Sequence, residues 1–228
     1  MRRLIGTVGA LAVLAMPARG QAQELCKTSF KTPPVGSWAE WRMTGGADSS
    51  ITTRMAVVGS EQRDGKTLTR LEMTSQGRRG PIIMQVLISG WPYRAGETEE
   101  AVFKMGDRPA MKVPQAMLSR IANRRGSSAS GWMTGCEKMQ AVGSEKVTVP
   151  AGTFSTTHYR NAQDGSDVWI DKDLPFALVK LTDSSAADGE KSTMELSASG
   201  TGAKSAITET PQEMPGMGRG MPGGRSNQ

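Results

Sequence analysis

Apolar and polar residues alternate in short runs along most of this chain, the period-two signature of strands buried on one side. Residues 38–44 and 51–59 alternate in this way, and Gly45, Gly46 and Asp48 between them supply a turn. Residues 66–75 repeat the pattern after Asp64-Gly65, with Leu71 and Met73 sharing a face with Thr69 while Leu68, Arg70 and Glu72 share the other. Residues 81–89 are more apolar. Ile82, Met84, Val86 and Ile88 fall on one face and Ile83 and Leu87 on the other, which predicts a strand covered on both sides at the centre of the sheet. Residues 99–112 form a further hairpin bent around Gly106-Asp107-Arg108-Pro109.

After Pro114 the period changes, because Met117, Leu118 and Ile121 recur at helical intervals, and one short helix is predicted over 114–124. A Gly/Ser loop follows and leads to Trp132 and Cys136. The second half returns to short strands at 145–149, 153–160, 167–170, 177–182 and 192–199. Asp164-Gly165 reads as a two-residue turn with positive φ at both positions, and Asp173-Leu174-Pro175 interrupts the next connection. Many short strands with one short helix predict a mainly β fold: an antiparallel sheet curled into an open or half β-barrel.

The ends of the chain depart from this pattern. Leu4 to Met16 is an apolar run too short to span a bilayer, preceded by Arg2 and Arg3 and followed by the small-residue site Gly20-Gln21-Ala22. Residues 1–22 are therefore expected to be a secretory signal peptide, and the mature protein periplasmic or secreted. From Gly200 the composition shifts to Gly, Pro, Met, Ser and Thr, so 201–228 is expected to be a disordered tail behind a single β-rich domain at 23–200. Removing Arg2, Arg3 and Arg19 from 28 basic residues leaves 25 against 22 acidic ones, too small an excess to argue for nucleic acid. A mean hydropathy of −0.40 predicts no transmembrane segment in the mature chain.

Cys26 and Cys136 are an even pair in an exported protein, and one disulfide between them is expected. Gln23-Glu24-Leu25 lacks the small apolar residues of a lipidation site at Cys26, and no CxxC spacing supports a redox pair.

The string Val149-Pro150-Ala151-Gly152-Thr153-Phe154 encodes a rigid hairpin, with Pro150 presetting φ and Gly152 accepting positive φ where the chain re-enters a strand. It continues through His158-Tyr159-Arg160, Asp167-Val168-Trp169-Ile170, Pro175-Phe176 and Leu178-Val179-Lys180. Together these resemble a group of exported bacterial proteins of unknown function that is similar to the superfamily of periplasmic lipoprotein carriers. The resemblance spans about residues 136–200, and it implies an open β-barrel around a hydrophobic cavity.

Recognisable catalytic sets are missing. His158 is the single histidine, no Gly-x-Ser-x-Gly elbow accompanies it, and the expected disulfide removes both thiols. Asp164, Asp167, Asp171 and Asp173 lack the spacing of an EF-hand loop and suit turns, while Glu97, Glu99 and Glu100 read as a solvated loop. Met214, Met217 and Met221 are soft donors unsupported by a neighbouring His or Cys. No catalytic residue, metal or cofactor is expected. The expected role is a non-catalytic carrier or binding module for a lipophilic ligand or lipoprotein acyl chain, lined by Ile82, Met84, Val86, Ile88, Met117, Leu118 and Ile121. The alternative is a structural or interaction module of the cell envelope, with an envelope protein as partner and an exposed edge strand or apolar patch.

Overall fold

The computed structural model describes residues 24–45, 51–77, 80–92, 97–115, 117–118, 133, 136–184 and 191–214. The expected signal peptide, Ile121, Trp132 and residues 215–228 lie outside them.

Twelve strands in the described residues make one sheet that does not close into a barrel. They are β1 (Trp38–Thr44), β2 (Ile51–Arg63), β3 (Lys66–Gly77), β4 (Gly80–Ile88), β5 (Thr98–Met105), β6 (Met111–Lys112), β7 (Met139–Val149), β8 (Gly152–Asn161), β9 (Asp167–Ile170), β10 (Leu178–Asp183), β11 (Ser192–Gly200) and β12 (Gln212–Glu213). Their spatial order is β12-β6-β5-β4-β3-β2-β1-β11-β10-β9-β8-β7. Two antiparallel meanders thus run outward from a seam where β1 pairs with β11, and β12 joins β6 in parallel.

Turn chemistry sets these connections. Asp64 and Gly65 have φ of 52° and 74°, the double positive φ that a two-residue hairpin between β2 and β3 requires. Pro150 and Ala151 link β7 to β8, and Gly152 takes φ 137° where β8 begins. The connection from β8 to β9 is longer than the expected two-residue turn. Gly165 alone has positive φ there, because the Asp164 side chain shapes the loop by accepting from Ser166 N–H and Asn161 Nδ2, each at 2.9 Å.

The sheet curls until the tip of the β7–β8 hairpin reaches β11, where Ala151 N–H donates to the Leu196 carbonyl at 3.1 Å. The inner face carries the main core, including Ala39, Trp41, Met55, Leu71, Val86, Val168, Leu178 and Met194. Leu25, from a short helix α1 (Glu24–Lys27) that strand patterning does not reveal, is fully buried in it. Cys26 beside it forms the expected disulfide with Cys136, which sits in a 3-10 turn just ahead of β7. The bridge closes a separation of 110 residues, an unfolded-state constraint of about 4–5 kcal/mol in the chain-entropy model. Of the predicted helix over 114–124, the described part is one turn at Gln115, Met117 and Leu118, begun by Met117 N–H donating to Pro114 O at 2.8 Å.

Two expectations are corrected. β4 is covered on both faces, with Val86 and Ile88 buried inside and Ile83, Gln85 and Leu87 buried outside, but it is fourth from one edge and not central. What covers its outer face is the second correction. Residues 201–214, expected to begin a disordered tail, form a strap across the outside of the first meander. Ala203 N–H donates to Gly36 O at 2.9 Å, Ile207 is buried with Ile83, Val102 and Ala110, and Lys104 pairs with Glu209 at 2.6 Å. Beneath them the buried Glu72 carboxylate accepts from Ala206 N–H, Ser205 Oγ and Gln85 Nε2 at 2.8–3.2 Å. One aliphatic anchor and a set of satisfied polar groups offset the ordering entropy that composition alone suggested could not be met.

Candidate functional site

The inner face is an apolar surface built from alternate positions of neighbouring strands. Leu71 and Met73 on β3 lie directly opposite Val86 and Met84 on β4, and Met55 on β2 opposes Met73. Of the predicted lining, Val86, Ile88 and Leu118 are buried in the inner core, and Met84 packs against it half-buried. Ile82 and Met117 are half-buried and belong to neither core cluster, and Ile121 is outside the described residues. The predicted set is thus partly brought together, on one side of the face.

Aromatic residues that strand patterning did not single out mark the other part. Phe176 stands between two indoles, 6.1 Å from Trp41 at 87° and 5.6 Å from Trp91 at 81°, both edge-to-face. The chain reaches Phe176 through a tight succession of turns: Leu174 N–H to Asp171 O, Ala177 N–H to Leu174 O, and Asp171 N–H to Ala177 O. Ala177 has φ 60° and is buried, and Leu178 N–H donates to Phe176 O at 2.6 Å across it, a γ-turn with its central residue on the strained side. Trp41 Nε1 donates to Leu178 O at 2.9 Å. Trp91 Nε1 is buried without a hydrogen-bond partner among the described residues. Trp41, Phe176, Leu178 and Leu196 wall a small cavity of about 10 Å³, room for no more than one water.

The outer face of the second meander is polar. His158, Trp169, Lys180, Glu195 and Arg42 are directly opposed in sequence across β8, β9, β10, β11 and β1. His158 stacks on Trp169 at 4.5 Å, with Nε2 2.7 Å from Asp167 and Nδ1 3.2 Å from Glu145. Trp169 Nε1 donates to Glu145 at 2.7 Å, and Lys180 pairs with Glu195 at 2.8 Å. Burial pushes the Asp167 carboxyl up, but hydrogen bonds from Arg160 and His158 outweigh it and hold the group below the usual carboxylate range. Both imidazole nitrogens thus face carboxylates, one from β9 and one from β7, an arrangement that ties these strands to β8.

The acids singled out in sequence have separate duties. Asp164 shapes its loop, Asp171 accepts from Asp173 N–H at 3.0 Å, and Asp167 serves His158 and Arg160. Glu100 pairs with Arg70 at 3.0 Å. The grouped metal-ligand atoms among the described residues are those of Cys26, Cys136 and Glu137, whose sulfurs are in the disulfide. No helix of the described residues is long and apolar enough to cross a membrane.

No protein-family model matches the chain, and no curated protein matches it. Among solved structures it is similar to an exported protein with a YmcC-like fold from Bacteroides fragilis, at 10% identity and TM-score 0.38 over 75% of this chain and 99% of that one. It is also similar to MucB, at 12% identity and TM-score 0.35 over 81% of this chain and 60% of that one. A DUF1329 family protein from Desulfovibrio piger overlaps 83% of this chain and 92% of its own, at 12% identity and TM-score 0.32.

Proposed function

We propose that the chain is an exported, non-catalytic binding module that takes the apolar chain of a lipid or lipoprotein on the inner face of its open sheet. The observation that carries this reading is the character of that face: it is rich in methionine and aromatic side chains, among them Met43, Met55, Met73, Met84, Trp41 and Phe176. Thioether side chains are unbranched and repack around varied apolar shapes at low cost. The leader-like N-terminus and the Cys26–Cys136 bridge support work outside the reducing cytosol. Pockets that enclose small ligands are about 300–1,000 Å³. The cavity beside Trp41 and Phe176 is far smaller, so a chain bound there must displace inner-face side chains.

Extraction of gently purified full-length protein, with native mass spectrometry, tests the reading. A stoichiometric lipid mass that is lost on delipidation and regained with added lipid is the expected result. Protein that neither retains nor takes up any lipid would overturn it.

A second reading has its own observation. Among the described residues β7 is an eleven-residue strand at one edge of the sheet, paired on one side, so it offers backbone groups to a partner strand. On that reading the chain is an envelope interaction module. Cross-linking from Val142, an exposed apolar residue on β7, to a single envelope protein would favour it over lipid binding.

A further inference from the structure

Trp41 and Trp91 flank the same phenylalanine in the same edge-to-face manner, yet only one satisfies its indole. Trp41 reaches a backbone carbonyl, whereas Trp91 Nε1 is sealed from solvent with no acceptor among the described residues. A buried donor left unbonded loses its hydration with nothing in exchange. The backbone beside it is also strained. Phe176 is held between the indoles by the γ-turn at Ala177, a conformation L-residues avoid and that persists where surrounding structure over-determines it. An unsatisfied donor and a strained turn thus converge on one aromatic cluster.

We infer that the Trp91 indole N–H is the recognition donor for a neutral carbonyl on the ligand. The ligand class is then acyl esters or amides and not plain hydrocarbon or ether chains. This assignment rests on the lipophilic-binding reading and adds the polar group that reading leaves open. The acceptor must be neutral, because Trp91 packs on the apolar inner core and a charge brought there would be desolvated without a counter-ion.

The test uses the full-length protein and two probes of equal chain length, monomyristoylglycerol with its ester carbonyl and tetradecyl glyceryl ether without one. The wild type is expected to bind the ester about tenfold more tightly, a difference of about 1.4 kcal/mol. Trp91→Phe should abolish that preference by weakening ester binding more than ether binding. In proton NMR spectra, one of the five indole N–H resonances should move downfield with ester and not with ether. Equal wild-type affinity for both probes overturns the inference and leaves lipid binding standing, and so does a Trp91→Phe protein that retains the ester preference. Binding of neither probe overturns the lipophilic reading itself. Should Trp91→Phe fail to fold, the wild-type ester-to-ether ratio and the indole shift still decide.

Discussion

At the scale of single residues, Gly152 and Asp167 give the most direct tests, one through backbone conformation and one through charge. A Cβ on Gly152 would meet nothing closer than the Phe154 ring at 3.9 Å, so a substitution there is opposed by backbone strain at φ 137° and not by crowding. Gly152→Val is expected to cost about 1–3 kcal/mol. The loss should appear as a lower Tm in calorimetry, by about 2–4 °C for each kcal/mol in a domain of this size. Lipid uptake per folded molecule should be unchanged, and a fully stable Gly152→Val protein that has lost uptake would assign the turn itself to binding. Asp167 gives a pH dependence of definite sign. Its carboxyl is more acidic folded than unfolded, so it contributes stability that is present above the unfolded value of about 3.9 and lost as pH falls through the lower folded value. In urea melts, Asp167→Asn should lower stability at pH 7, and the gap to wild type should narrow steadily below about pH 4. A gap independent of pH would mean that the carboxylate is not what links β8 to β9.

At the scale of elements, the strap over 201–214 is the part whose contacts are most separable from the rest. It touches the first meander through one apolar anchor, one buried carboxylate, the Lys104–Glu209 and Lys112–Glu213 ion pairs and a two-residue parallel strand, while β1–β11 and β2–β3 are held by long ladders. Ile207→Ala removes the anchor and is expected to release the strap in a local opening. Hydrogen exchange should accelerate at the amides of Ala206 and Gln212, which donate to Glu72 and Ala110, while β1, β2 and β11 keep their protection. Uniform loss of protection would instead show that strap and sheet unfold as one unit. The burial of Glu72 and Gln85 on the outer face follows from the strap, because neither finds cover or a full set of partners without it.

At the scale of the molecule, a seam between β1 and β11 unites two meanders that are each local in sequence. Contacts within a meander form between neighbours in the chain, whereas the seam, the disulfide and the strap close separations of more than 100 residues. The inner face exists only once the seam is made, since Trp41 comes from one side of it and Phe176 and Leu178 from the other. The proposed lipid-binding face therefore belongs to the assembled sheet and to neither half.

Most strands and the turns at Asp64-Gly65 and Pro150 to Gly152 were readable in the residues, because alternation and turn chemistry are local properties, whereas the early start of β7, the longer β8–β9 loop and β12 were not. β1 and β9 run over the predicted residues, and Gly65 and Gly152 take the positive φ that their positions demand. The disulfide followed from compartment and an even cysteine count. Tertiary structure alone decided which strands are neighbours, because pairing across the seam depends on how whole surfaces pack and not on any local period. It decided that a Gly-, Ser- and Thr-rich segment lies ordered against β3 to β6, because the partners of Ser205, Ala206 and Ile207 are Glu72, Ile83 and Val102, far away in sequence. It also decided that Trp91 and Phe176 share a cluster with Trp41, because an indole in a loop carries no period from which its neighbours could be read.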